Sequence, residues 1–200
     1  MPKANTPEKR LRVLFLRFSL LFIFLQPVAH TFGQNTLLKA GINVSSVAGV
    51  AESGSLTGYH VGIGGLKSFS ENIGLKTELI FSQQGTQATA NYKLVYYYLN
   101  MPLLLNVRLG DKVSFDLGPQ LGVALRAVEK GQSDRDITAN LNTLDVSGCL
   151  GVSYFITQSV FAEARYNVGI TDLSRIDQGR TYRNAVFQGS VGYYFNRKNQ

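Results

Sequence analysis

Three residue types that could support nucleophilic catalysis lie within one stretch of the chain. Ser82 carries a hydroxyl, His60 could take its proton as a general base, and Glu78 could orient the imidazole. Such a set works only where the three side chains converge. The sequence also lacks the Gly-x-Ser-x-Gly turn that presents a nucleophilic serine in many hydrolases. We therefore predict a structural role for His60 and no catalytic residues.

The residue types and their spacing do not indicate a metal or cofactor site. Cys149 is the only cysteine, which excludes an internal disulfide and a zinc site with several cysteines. The His, Cys, Asp and Glu residues show no ligand spacing. The glycines of residues 62–65 fall inside an alternating segment and not in a phosphate-binding loop. We predict no metal and no cofactor.

The charge of the chain is concentrated at its beginning. Five of the 20 Lys and Arg residues lie in residues 1–33, where Glu8 is the only acid. The other 15 basic and 12 acidic residues leave a net charge of +3. This remainder contains no basic run interleaved with stacking aromatic residues. The composition therefore argues against nucleic-acid binding.

Residues 1–33 have the three-part layout of a secretory signal peptide. A basic stretch ends at Arg17, an apolar run covers residues 18–25, and small residues precede Gln34. The apolar run is far shorter than the ~20 residues that a membrane-spanning helix needs. We predict a cleaved signal peptide over 1–33 and a single domain over 34–200.

The elements that would position the polar side chains are strands, because apolar and polar residues alternate with a period of two. Each alternating segment is near the ~10 residues that a tilted transmembrane strand requires. Pro102 and Pro119 lie inside two of them and remove a ladder donor, so bulges are expected there. The eight segments cover residues 38–45, 59–64, 73–82, 99–108, 113–126, 144–154, 160–169 and 187–195.

The connections between these segments alternate in length. Short turns on one side and long loops on the other are typical of outer-membrane barrels, whose short turns face the periplasm. We therefore predict both termini in the periplasm and the long loops outside. The short connections cover residues 70–72, 109–112 and 157–159, and the long ones cover 46–57, 85–92, 127–142 and 171–184.

The polar series of the strands suits the inside of a barrel better than a surface in water. It is rich in Gly, Ser and Asn and poor in charge. Aromatic residues at the predicted strand ends, namely residues 96–98 and Tyr193 with Phe195, are expected to form interfacial girdles. A soluble barrel with an apolar interior is the alternative.

Eight strands enclose an interior that side chains can just fill. Charged residues in such a lumen must be paired, and both signs occur in similar number. We predict a plugged barrel with an internal polar network. Its members are Lys76, Glu78, Arg108, Asp116, Arg126, Asp145, Glu163 and Arg165.

Four motifs of the predicted strands have counterparts in a known family. They are YLNMPLLL at 98–105, GPQLG at 118–122, EARYNVGI at 163–170 and GYYF at 192–195. Through them the chain resembles the PorT-type outer-membrane β-barrel domain family over residues 35–195. The resemblance implies an eight-stranded outer-membrane barrel and no uniform activity. The family takes its name from a member tied to protein secretion.

These observations together predict an all-β fold, an eight-stranded antiparallel up-and-down transmembrane β-barrel in a Gram-negative outer membrane. The expected role is structural or interactive, with a link to secretion implied by the resemblance. A small-solute porin and a membrane-embedded lipid-modifying enzyme are the alternatives. Expected partners are outer-membrane lipid and lipopolysaccharide, the outer-membrane assembly machinery, and a protein bound by the long loops. Arg175, Arg180 and Arg183 of the last loop could touch lipopolysaccharide, and a loop that is only solvated is the alternative.

Overall fold

The structure is a computed structural model that describes residues 35–48, 54–89, 92–131, 133–138, 142–171 and 183–195. The predicted signal peptide, together with Arg175 and Arg180 of the last loop, lies outside these residues. Within them, no helix is long and apolar enough to cross a membrane. The strands are β1 Thr36–Ala48, β2 Gly54–Ser68, β3 Ile73–Thr89, β4 Tyr92–Leu109, β5 Val113–Lys130, β6 Arg135–Asp136, β7 Leu144–Phe155, β8 Val160–Gly169 and β9 Arg183–Tyr194.

Eight long strands form a closed antiparallel barrel, as the alternation predicts. Neighbours along the chain pair with each other, and β1 pairs with β9 to close the wall. The two-residue strand β6 pairs only with the end of β5 and takes no part in the closure. We call the end with connections 69–72, 110–112 and 156–159 the short-turn end and the opposite one the long-loop end.

The two faces of the wall differ as the period of two requires. Apolar side chains of the outward series are exposed, for example Ile42 at 61%, Leu117 at 60% and Val191 at 60%. The inward series buries polar residues such as Asn43 and Gln188. An apolar exterior around a polar interior is the arrangement of a transmembrane barrel and the reverse of a soluble one.

The strands at the long-loop end extend further than predicted. Residues 85–92, predicted as a loop, belong almost entirely to β3 and β4, and β1 continues to Ala48. The prediction ended each strand where apolar alternation ended. Strands that project beyond a bilayer need no apolar face, so their backbone pairing continues through polar residues such as Thr86 and Gln87.

The register shifts of the described wall lie away from the two prolines. Pro102 and Pro119 lie inside β4 and β5, and the residue pairing on either side of them keeps one register. One shift is a bulge at Leu125, between the pairs Tyr97–Arg126 and Tyr98–Ala124. Two others lie between β2 and β3 after Ser55 and between β3 and β4 after Gln87. The expectation of bulges at the prolines was therefore wrong. An inserted residue reverses the inward and outward alternation of the strand beyond it.

Aromatic residues occupy both the outer wall and the lumen. On the outside, the Tyr97 and Phe81 rings stack at 6.1 Å, and the Tyr193 and Phe195 rings meet edge to face at 5.2 Å. Tyr96 and Tyr98, predicted as girdle residues, point inward instead, with 5% and 1% exposure. Their neighbour Tyr97 occupies the outward position because successive strand residues face opposite sides.

Candidate functional site

The lumen holds a cluster of six buried charged residues, which we call the ionic cluster. Each side chain comes from the inward series of a strand, and four different strands contribute. Every member is at most 4% exposed. Its residues are Lys39 on β1, Lys76 and Glu78 on β3, Asp116 on β5, and Glu163 and Arg165 on β8.

Arg165 and Glu78 form the geometric centre of the ionic cluster. The two guanidinium nitrogens Nη1 and Nη2 of Arg165 donate to the two carboxylate oxygens of Glu78 at 2.8 and 3.0 Å. Nη2 also donates to Oε2 of Glu163 at 3.1 Å. A bidentate pair of this kind fixes both side chains in orientation, because two parallel hydrogen bonds allow one geometry.

The two lysines connect the remaining carboxylates. Lys39 Nζ lies 2.6 Å from Glu163 Oε1 and 2.9 Å from Glu78 Oε2. Lys76 Nζ lies 2.6 Å from Glu163 Oε2, 2.9 Å from Asp116 Oδ2 and 3.3 Å from Glu78 Oε1. Glu163 therefore contacts all three cations of the cluster, and its removal would affect each of them.

The charges of the ionic cluster cancel, with three cations against three anions. Buried charges are tolerated when each is paired and hydrogen-bonded, and they are costly when one partner is missing. The cluster joins β1, β3, β5 and β8 across the lumen. It therefore fills the interior at this level and braces opposite sides of the wall.

A layer of amides and hydroxyls lies next to the ionic cluster on its long-loop side. Asn43 Nδ2 donates to the backbone carbonyls of Tyr59 and Gln83, which leaves Asn43 Oδ1 as an acceptor. His60 Nδ1 lies 2.7 Å from that oxygen and therefore carries the proton. His60 Nε2 accepts from Ser190 Oγ at 2.7 Å.

Apolar clusters close the lumen beyond these polar layers. At the short-turn end, aromatic rings meet at 5.2 to 6.1 Å, and Lys76 Nζ lies 5.5 Å from the centre of the Phe161 ring. A Cβ on Gly192 would lie 2.3 Å from Phe161, so the wall needs glycine there. The short-turn cluster comprises Leu37, Leu66, Phe155, Phe161 and Tyr194, and the long-loop cluster comprises Val47, Tyr96, Tyr98, Ala124 and Ala127.

Five of the eight residues predicted for the polar network lie in the ionic cluster, namely Lys76, Glu78, Asp116, Glu163 and Arg165. The sequence prediction missed Lys39. The inward position of Lys39 could have been predicted, because Lys39 belongs to the polar series that includes Asn43 in the first alternating segment.

The other three predicted residues lie elsewhere. Asp145 is buried in the lumen but bonds to Thr171 instead of a cation, and Arg108 is half-buried in β4. Arg126 faces outward, with its side chain 63% exposed and Nε 3.6 Å from Asp136 Oδ2. The lumen prediction for Arg126 was wrong because the bulge at Leu125 reverses the alternation of β5. Hydrogen bonds from Thr138 lower the pKa of Asp136, which lies outside the eight wall strands.

Ser82, His60 and Glu78 do not converge into a catalytic set. Glu78 is bound to Arg165 and Ser82 Oγ accepts from Asn43 and Gln84, while His60 contacts Asn43 and Ser190. Within the part of the chain that the structure describes, no group of three His, Cys, Asp or Glu residues could hold a metal.

Comparison with known families agrees with this barrel. The model of the outer membrane protein β-barrel domain matches residues 32–175, which is most of the chain. The chain belongs to this family. The matched region includes the first seven long strands of the wall and all but one of the elements that carry the ionic cluster and the amide layer.

Solved structures of this kind share the fold at low sequence identity. Neisserial surface protein A (NspA) aligns with a TM-score of 0.60 and 17% identity, over 80% of this chain and 97% of that chain. Ail, the attachment invasion locus protein of Yersinia pestis, aligns with a TM-score of 0.53 and 14% identity, over 81% and 99%. No curated protein matches the sequence. Identities this low support the fold and leave the role open.

Proposed function

We propose that the protein is a closed, non-enzymatic barrel of the Gram-negative outer membrane that acts through its outer surface and long-loop end. The observation that carries this proposal is the filled lumen. The ionic cluster, the amide layer and an apolar cluster at each end occupy successive levels of the interior. A solute would have to displace paired charges to pass, so a small-solute porin is the weaker reading.

We also propose that the chain belongs to the PorT-type subgroup, because its motifs at residues 98–105 and 163–170 resemble that subgroup. This membership would imply a role in the envelope linked to protein secretion. Insertion would depend on the outer-membrane assembly machinery, as for a barrel whose last strand ends in aromatic residues. A protein partner would be met at the long-loop end.

Lipopolysaccharide is the proposed lipid partner at the long-loop end. Lys93 and Lys130 lie directly opposite each other on β4 and β5, and both are exposed. Like charges in this position repel each other unless an anion lies between them. Both belong to the outward series of Tyr97, at a height beyond that ring. A lipid phosphate near the outer interface would match these two ammonium groups.

The proposed location and orientation predict which residues are reachable in intact cells. With Cys149 changed to serine, a cysteine at Ser133 near the long-loop end reacts with a membrane-impermeant maleimide. A cysteine at Glu71 in a short turn reacts only after lysis. Both positions are exposed, so accessibility of the side chain does not separate them. Equal labelling of both variants in intact cells, or labelling of Glu71→Cys alone, would contradict the orientation.

An enzyme is the second candidate because of one specific contact chain. Ser190 Oγ donates to His60 Nε2, and His60 Nδ1 donates to Asn43, which is the order of nucleophile, base and orienting group. Ser190 is only 6% exposed and lies within the filled lumen. A nucleophile enclosed in this way has no path for a lipid substrate.

We expect no covalent modification of Ser190 by a fluorophosphonate probe in outer-membrane vesicles. A mass spectrum of the labelled protein provides the measurement, with Ser190→Ala as the matched control. A probe adduct on Ser190 that is lost in the control variant would revive the lipid-modifying enzyme.

A further inference from the structure

A small cavity lies in the lumen between the amide layer and the long-loop end. The volume of this cavity is about 10 Å³, at the lower limit of what one water molecule needs. Six of its lining residues are polar, namely Asp145 and Ser147 of β7, Asn167 of β8, Asn184 of β9 and two glutamines. The cavity is therefore a polar site for one small occupant.

Hydrogen bonding fixes which atom Asn167 presents there. Asn43 Oδ1 must accept, because Asn43 Nδ2 donates to two backbone carbonyls. Gln188 Nε2 donates to Asn43 Oδ1, and Gln188 Oε1 in turn accepts from Asn167 Nδ2. This relay turns the carbonyl oxygen of Asn167 away from its partner. Asn167 is 3% exposed, and its Oδ1 has no hydrogen-bond partner in the described structure.

Asn184 repeats this arrangement on the neighbouring strand. Its Nδ2 donates to Gln84 Oε1, and its Oδ1 has no partner within the described residues. The residue is 4% exposed. Both unpartnered amide oxygens belong to residues that line the cavity, and a buried oxygen without a donor incurs a desolvation cost unless a positively polarised group lies beside it.

The charge of the residues around the cavity indicates which class of ligand would bind there. Asp145 is 7% exposed and accepts a hydrogen bond of 2.6 Å from Thr171 Oγ1. None of the ion pairs in the described residues involves it, and the ionic cluster has no surplus cation to offer. One uncompensated carboxylate beside two amide oxygens and the Ser147 hydroxyl carries a single negative charge. Oxygen donors of this type suit hard cations.

We propose that this cavity binds one Na⁺ ion. The carboxylate of Asp145 supplies the charge, and the carbonyl oxygens of Asn167 and Asn184 with the hydroxyl of Ser147 supply neutral oxygen ligands. The space suits an ion the size of one water molecule. The single carboxylate matches a monovalent charge. The ion would link β7, β8 and β9 near the long-loop end, where the ionic cluster does not reach.

Thermal unfolding of the refolded barrel in detergent tests this site. NaCl replaces N-methylglucamine chloride stepwise at constant ionic strength, so that only the cation changes. We expect the midpoint of the wild-type protein to rise by about 2–4 °C across the titration. Asp145→Asn, which removes the charge but keeps the shape, loses this response. Asn167→Leu, which leaves the charge intact, reduces it and serves where Asp145→Asn does not fold.

Several outcomes would overturn the proposal. An equal midpoint in both salts would mean that the cavity holds only water. A sodium response of the same size in wild type and in both variants would place the effect elsewhere. A response to CaCl₂ at micromolar concentration, with none to NaCl, would assign a divalent ion and contradict the charge argument.

Discussion

Glu163→Gln lowers the free energy of unfolding of the barrel by about 3–5 kcal/mol. Glu163 contacts Lys39, Lys76 and Arg165, and each contact is 3.1 Å or shorter. Glutamine keeps the size of the side chain but leaves three buried cations against two anions. The surplus charge has no route to water, since the cluster is buried. Urea unfolding in lipid vesicles, followed on a gel by heat-dependent migration, measures the loss.

Two further variants separate this effect from a general one. Glu71→Gln makes the same chemical change on an exposed turn and leaves stability within ~0.5 kcal/mol of wild type. The double variant Lys39→Met with Glu163→Gln restores the charge balance and recovers part of the loss. An unfolding midpoint of Glu163→Gln equal to that of Glu71→Gln would show that the ionic cluster does not stabilise the barrel.

Leu150→Arg reduces stability in a bilayer by about 2–4 kcal/mol. Leu150 is 58% exposed on the outer wall and pairs with Leu117 of β5. The adjacent pair, Gly151 with Asp116, is at the level of the ionic cluster. This level lies well inside the strand ends, so an arginine there must place its charge among acyl chains. Folding yield and urea midpoint in vesicles of a phosphatidylcholine with a 14-carbon chain provide the measurement.

Leu109→Arg is the matched control for the outer wall. Leu109 is 59% exposed, almost the same as Leu150, but it is the last residue of β4 at the short-turn end. An arginine near the interface costs only ~0–1 kcal/mol. A soluble barrel would tolerate both substitutions alike. Equal urea midpoints for the two variants would therefore contradict a lipid-facing outer wall.

The wall of the barrel could be predicted because its signal is local. Strand geometry sends alternate residues to opposite faces, so Ile42 and Asn43 reveal their faces by sequence position alone. The same rule places Lys76, Glu78, Glu163 and Arg165 in the lumen. Which of them touch is a different matter, since β3 and β8 are far apart in the chain and meet only across the closed barrel.

Features that depend on backbone pairing escaped the sequence. The bulge at Leu125 turns Arg126 outward, and the sequence pattern around Leu125 does not indicate an inserted residue. Polar pairing at the long-loop end extends β3 to Thr89, where apolar periodicity had stopped. Tyr96 and Tyr98 pack inside because the odd position, Tyr97, faces out. The outward series that includes Leu105 extends by its period of two to Tyr97, but the prediction treated the three tyrosines as one group.

The layered lumen is the feature from which the functional proposal follows. Side chains fill the lumen at successive levels: the short-turn cluster around Phe161, the ionic cluster with its paired charges, and the amide layer around His60. In the function proposed above, partners bind at the outer surface and the long-loop end and not in the lumen. The pair of Lys93 and Lys130 at that end is one feature available to an anionic partner.

Single-channel recording in a planar bilayer tests the closed lumen most directly. The chain from residue 34 onward, refolded and shown to migrate as a heat-modifiable barrel, is added to a bilayer in 1 M KCl. We predict no stable conductance steps above those of the protein-free bilayer, because paired charges and apolar clusters fill the interior. Reproducible steps of uniform size from the folded wild-type protein would contradict the account and favour a small-solute porin.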